Sequence, residues 1–125
     1  MISVFANFRI NNQERLHLFK LSFNSIKNDP NFDNWVINCR GDYKTHVENI
    51  LREALGDKLI FSSKESKKGW FYDSSEMLKN LKNHFVFFWI EDHVKISNHF
   101  INISELKDLE NNDVDYLQYS FTHSA

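Results

Sequence analysis

Short apolar segments alternate with helix-periodic ones along most of this chain, and few folds accommodate that order. Ile2 to Arg9 and Trp35 to Cys39 are apolar and β-prone, Lys58 to Phe61 is a shorter segment of the same kind, and Phe85 to Ile90 is an unbroken apolar run. Between the first two, Leu16, Phe19, Phe23 and Ile26 fall on one helical face, opened by Asn11 with Glu14 in the manner of a capping box and stopped at Asn28-Asp29-Pro30. Between the second and third, Val47, Ile50, Leu51, Ala54 and Leu55 repeat at helical spacing, from a start at Asp42 to a stop at Gly56. A third helix is expected to open at Asp73 with Glu76 and to carry Met77, Leu78 and Leu81. The order β-α-β-α-β-α-β predicts an α/β domain with a mostly parallel sheet, helices on both faces and right-handed crossovers. The unbroken run at Phe85 to Ile90 predicts a strand covered on both sides. After His93 the pattern weakens. A short strand within Val94 to Ile103, a helix from Ser104 to Asn111 and its continuation over Asn112 to Phe121 are the expectations there.

At 125 residues the chain is one domain's worth of material, and its 42% hydrophobic and 26% charged composition is that of a folded chain. A net charge of −2 gives no basic footprint for nucleic acid. No apolar run is long enough to span a bilayer, and no leader-like segment is expected, so the expectation is a cytoplasmic protein. A lone cysteine, Cys39, excludes an internal disulfide and reads as a small buried hydrophobe in a reducing compartment. Twelve Phe, three Trp and four Tyr are an unusual share; most are expected to fill the core, leaving open whether the remainder form an exposed face for a second chain or a second copy.

In an open parallel sheet, ligands bind beyond the carboxyl ends of the strands. That rule selects Phe8-Arg9-Ile10-Asn11-Asn12, Asn38-Cys39-Arg40-Gly41-Asp42, the loop from Ser62 to Asp73, and Glu91-Asp92-His93. Glu91, Asp92 and His93 follow six apolar residues and are competent ligands for Mn²⁺, Mg²⁺ or Zn²⁺, or else simply a polar strand end. Arg9 and Arg40 lie at the ends of neighbouring strands, suited to phosphate or to ion pairs with Asp42, Glu91 or Asp92. Lys64, Lys67 and Lys68 form a basic loop or a solvated surface. Gly69 allows close backbone approach to a ligand. The chain contains no GxGxxG, Walker A, GxSxG, HExxH or CxxC pattern.

These segments together resemble the N-terminal, nucleotide-sugar-binding half of GT-A-type glycosyltransferases, close to glycosyltransferase family 2. The residues that carry the resemblance are the first strand with Phe8 to Leu16, the second strand with Trp35 to Tyr43, the Gly69-Trp70-Phe71 loop, and Phe85 to His93. The resemblance covers about the first three-quarters of the chain. It implies a Rossmann-like half domain that binds a nucleotide-diphosphate sugar and passes the sugar to a saccharide or glycan acceptor. Base and ribose would lie at Phe8, Arg9, Asn11, Asn38 and Arg40, with Gly69 in the loop before the third helix. A divalent cation, Mn²⁺ or Mg²⁺, would lie at Glu91, Asp92 and His93, where the family carries a DxD-type motif. The chain departs from that pattern: the acidic stretch reads Glu-Asp-His, and Arg40-Gly41 stands where an acidic residue is usual. No acceptor half or catalytic base is assignable, so residues 1–125 read as one truncated donor-binding domain, peripheral to a membrane only by analogy. Two other readings stay open. One is a non-catalytic interaction or nucleotide-binding module of the same fold. The other is an unrelated flavodoxin-like domain that binds another nucleotide or acts as a response module, and a receiver of that kind would want its acidic pocket one strand earlier.

Overall fold

The computed structural model describes residues 1–95 and 100–112. The elements run β1 (Ile2–Arg9), α1 (Gln13–Ile26), β2 (Phe32–Arg40), α2 (Lys44–Leu55), β3 (Leu59–Ser62), α3 (Trp70–Met77), β4 (Phe85–Phe88) and α4 (Ile103–Asn111). All four strands are parallel, in the order β3-β2-β1-β4. The protein is an α/β domain of Rossmann-like architecture, as the alternation predicts.

Strand order fixes where the helices go. From β1 the chain steps through β2 to β3 in one direction, then jumps back past β1 to lay down β4. A right-handed crossover sends helices to opposite faces when the direction reverses. Accordingly α1 and α2 bury Phe19, Phe23, Val47 and Leu51 against Val4, Ala6, Phe8, Trp35, Ile37 and Cys39. On the other face, Met77 of α3 packs with Phe5 and Val36. The reversal makes a crevice between the carboxyl ends of β1 and β4, the place where folds of this order bind ligands.

The two faces differ in chemistry. On the α1–α2 side, Trp89 contacts Phe8, Phe19, Phe23 and Trp35 with ring centroids 5.4–5.8 Å apart. Much of the aromatic surplus is therefore core. The α3 side is polar above and below the Phe5–Val36 pair. At one end Ser3 donates to Asn34 (2.6 Å), and at the other Asn38 donates to Asn7 (2.9 Å). Both faces of β2 are buried, one apolar and one mixed, which explains its weak alternation in the sequence.

Several local expectations shift. The N-cap of α1 is Asn12, whose side chain accepts from the Arg15 amide (2.8 Å), not Asn11. Helix α2 starts at Lys44 rather than Asp42, and α3 starts at Trp70 rather than Asp73. Strand β4 pairs with β1 alone among the described strands, and Phe88 at its end is 61% exposed, so the apolar run is an edge and not a doubly covered strand. Within Val94 to Ile103 the described residues form no strand, and most of the helix expected over Asn112 to Phe121 lies outside the described residues.

Candidate functional site

At the crevice between β1 and β4 lies an open cleft of about 410 Å³, lined by Asn7, Phe8, Arg9, Asn11, Asn12, Arg15, Arg40 and Glu91. Three elements build it. Arg9 and Arg40 close their strands as direct neighbours in the sheet, on the same face as Asn7 and Asn38. The turn after each strand is tied to the other: Ile10 N–H donates to the Arg40 carbonyl (2.9 Å) and Tyr43 N–H to the Ile10 carbonyl (3.1 Å). Asp42 N–H also donates to Asn11 Oδ1 (3.2 Å). Gly41 makes this junction possible, at φ 101° and with Asn11 and Ile10 filling the space a Cβ would take.

The third element is the turn after β4. The Trp89 indole N–H donates to the Ser22 hydroxyl of α1 (2.8 Å), and Ser22 in turn donates to the His93 carbonyl. The buried Ser22 therefore seats Ile90 to His93 on the α1 surface. This places Arg15 Nη1 3.4 Å from Asp92 and 3.7 Å from Glu91.

Charge is unevenly compensated here. Arg9 pairs with Glu65 of the β3–α3 loop. The buried Arg40 Nε has no hydrogen-bond partner among the described residues. Burial, and then the charge of Arg9, push the Arg40 pKa down, whereas Asp73 and Glu91 partly offset this. Such an arrangement disfavours a second positive charge and favours an anion between the two guanidiniums. The cleft also opens over the first turn of α1, whose free N–H groups favour negative charge.

The structure brings together Phe8, Arg9, Asn11, Arg40 and Glu91 of the residues selected from the sequence. Phe8 contributes chiefly through its backbone, because its ring is buried against Phe19 and Trp89. Asn38 lies elsewhere. It is fully buried and saturated: its Oδ1 accepts from Ser62 Oγ (2.9 Å) and Lys64 N–H (2.6 Å), and its Nδ2 donates to Asn7 Oδ1 and the Lys64 carbonyl (2.9 Å each). Gly69 caps α3 at φ 94° and does not line the cleft. Asp92 and His93 also lie outside its lining.

The carboxylates of Glu91 and Asp92 face a guanidinium, His93 is exposed, and no three His, Cys, Asp or Glu side chains converge as a ligand set among the described residues. In this arrangement the three do not form a cation cage, and no chemical step below is routed through a metal.

Asn12, selected with the end of the first strand, also lines the cleft, whereas sequence reasoning missed Arg15 and Asn7. Arg15 carried a usable signal: it is a cation in the first turn of a helix, where the dipole favours an anion. Comparison with protein-family models, with curated proteins and with solved structures gives no match for this chain.

Proposed function

We propose that the protein binds a nucleoside diphosphate, carried as a nucleotide-diphosphate sugar, in the cleft between β1 and β4 and donates the sugar to a saccharide or glycan acceptor. The observation that carries this reading is the Arg9–Arg40 pair, two like charges held side by side at the ligand-binding end of a parallel sheet. Glu65 neutralises Arg9 alone, and a diphosphate would supply the negative charge that Arg40 lacks. In transfer, the acceptor oxygen bonds to the anomeric carbon as the bond to the diphosphate breaks. The pair would stabilise the charge gathering on the leaving diphosphate. The acceptor proton must pass to a base that none of the described residues identifies. A reducing cytoplasmic setting suits the single buried thiol.

The second reading is a nucleotide-binding module without transfer. It is favoured by Arg15, which already engages Glu91 and Asp92 and so occupies the carboxylates the resemblance gives to Mn²⁺ or Mg²⁺.

Calorimetric titration with UDP, GDP and CDP, each with and without Mn²⁺, tests both. Binding by one of them, lost in Arg40→Met, is the expected result, and no binding by any overturns the reading. A stimulation by Mn²⁺ that Glu91→Ala removes would restore the cation to the site. Release of free nucleotide from the matching nucleotide sugar, in the presence of glycan acceptors, separates transfer from binding alone.

A further inference from the structure

Trp70 opens α3 and is half exposed, whereas Trp35 and Trp89 are buried. Its indole N–H donates to the Asn7 carbonyl (3.0 Å), which fastens the edge of the ring to β1. Asn7 lines the cleft and lies two residues before Arg9 on the same strand and the same face. Two residues of strand span about 7 Å, roughly the reach of a ribose between a base and its phosphates. Trp35 and Trp89 each pack against several rings, but no ring or cation stacks on Trp70 among the described residues. The neighbouring Tyr72 already carries Lys68 over its ring at 4.5 Å. A large aromatic ring pinned by its polar edge and open on its surface is a preformed stacking platform.

We infer that Trp70, which flanks the cleft at Asn7 and is not part of its lining, is the base-stacking residue for a ligand whose diphosphate lies on Arg9 and Arg40. This rests on the reading of the cleft as a diphosphate site and adds to it the recognition of a flat aromatic base. Stacking of a base on an aromatic side chain is tolerant of base identity. Trp70 would therefore supply affinity for nucleotides over bare phosphates, and choice among bases would come from other groups.

The test compares inorganic pyrophosphate with UDP, GDP and CDP by calorimetry on the wild-type chain, Trp70→Ala, Trp70→Phe and Phe71→Ala. Phe71 is the more exposed neighbour and serves as the control for loss of a surface ring. The wild type should bind at least one nucleoside diphosphate about tenfold or more tighter than pyrophosphate. Trp70→Ala should erase that preference with pyrophosphate affinity intact, Trp70→Phe should keep most of it, and Phe71→Ala all of it. The nucleotide, but not pyrophosphate, should also shield the one exposed indole from acrylamide quenching of its fluorescence. Equal losses for pyrophosphate and nucleotide in Trp70→Ala would make Trp70 a structural prop and overturn the inference. Arginine-dependent pyrophosphate binding with an unchanged nucleotide preference in Trp70→Ala would overturn it while leaving the diphosphate site standing. Failure of pyrophosphate and nucleotides alike would remove both.

Discussion

Arg9 and Arg40 face each other across the β1–β2 pair, each the last residue of its strand, with both side chains on one face of the sheet. Arg9 finds a carboxylate in Glu65, but Arg40 keeps a buried Nε with no hydrogen-bond partner among the described residues. Neighbouring like charges, one partly desolvated, weaken a fold unless something negative sits between them. Sites of this kind favour ligand binding at the expense of stability.

Arg40→Met should therefore raise the stability of the free protein while removing its response to phosphates. The side chain keeps its length and apolar contacts and loses the charge. The expected gain is about 1 kcal/mol, or roughly 3–5 °C in Tm. Pyrophosphate should raise the Tm of the wild type by mass action and leave the variant unmoved. A variant less stable than the wild type would mean that the guanidinium holds the sheet end together.

Asn38 differs from Arg40 although both occur at the same strand end. Its amide links β2 to β1, to β3 and to the loop above β3 through four hydrogen bonds. Asn38→Ala takes the shared acceptor away from the Lys64 amide and the Ser62 hydroxyl, and leaves a hole where the fully buried amide stood. The loss should be about 2–4 kcal/mol in urea unfolding, far above a surface substitution. A loss under 1 kcal/mol would show that water replaces the amide.

The contrast shows what the sequence could and could not carry. Strand-end chemistry pointed equally to Asn38 and Arg40, because both are polar and close a β-prone segment. Only the β3–α3 loop, which folds over Asn38, separates a sealed amide from an open guanidinium. The alternation of periods made the α/β order legible, since each element buries a face with its own repeat. The start of α3 was hidden: Trp70, Phe71 and Tyr72 are apolar without a helical period, and all three are at least partly exposed. Asp73 looked like a cap but lies inside the helix, reaching back to Ser66. At β4 the local sequence describes a buried strand, whereas its edge position depends on which strand it pairs with, and composition says nothing of that.

Asp73 is a buried residue, and its carboxylate accepts from both the hydroxyl (2.6 Å) and the amide (2.9 Å) of Ser66. These bonds hold its pKa below the usual carboxylate range, with Lys64 and Arg40 helping. A depressed folded-state pKa stabilises the protein above the unfolded value near ~3.9, and the benefit fades as pH falls through the folded-state value. Asp73→Asn should lower stability at pH 7 and flatten this acid limb of the unfolding profile. An unchanged acid limb would mean that other carboxylates set it.

Gly41 is where the two strand-end turns meet. A Cβ there would lie 2.5 Å from both Asn11 Oδ1 and the Ile10 carbonyl oxygen, at φ 101°. Gly41→Ala should cost about 2–3 kcal/mol, from strain plus the clash with backbone. At Gly69, also at positive φ but with open space around it, the same change should cost only the strain, about 1 kcal/mol. Equal losses at the two glycines would show that the Gly41 junction relaxes freely.

Cys39 gives a probe of global opening. Its thiol is fully buried on the α1–α2 side of β2, and burial first, then the Glu91 charge, push its pKa up to about 12. The thiolate is the reactive form, so the folded protein should be inert to a thiol reagent at pH 8, and labelling should require unfolding. In the unfolded chain the thiol ionises near ~8.5, while the folded thiol stays protonated to about 12. Between these values the unfolded state binds fewer protons, so stability should fall as pH rises through that window. Cys39→Ala should remove this alkaline slope at the cost of a small cavity of about 1 kcal/mol. Rapid labelling of the native protein at pH 8 would mean that the α1–α2 face opens locally, well below the free energy of global unfolding.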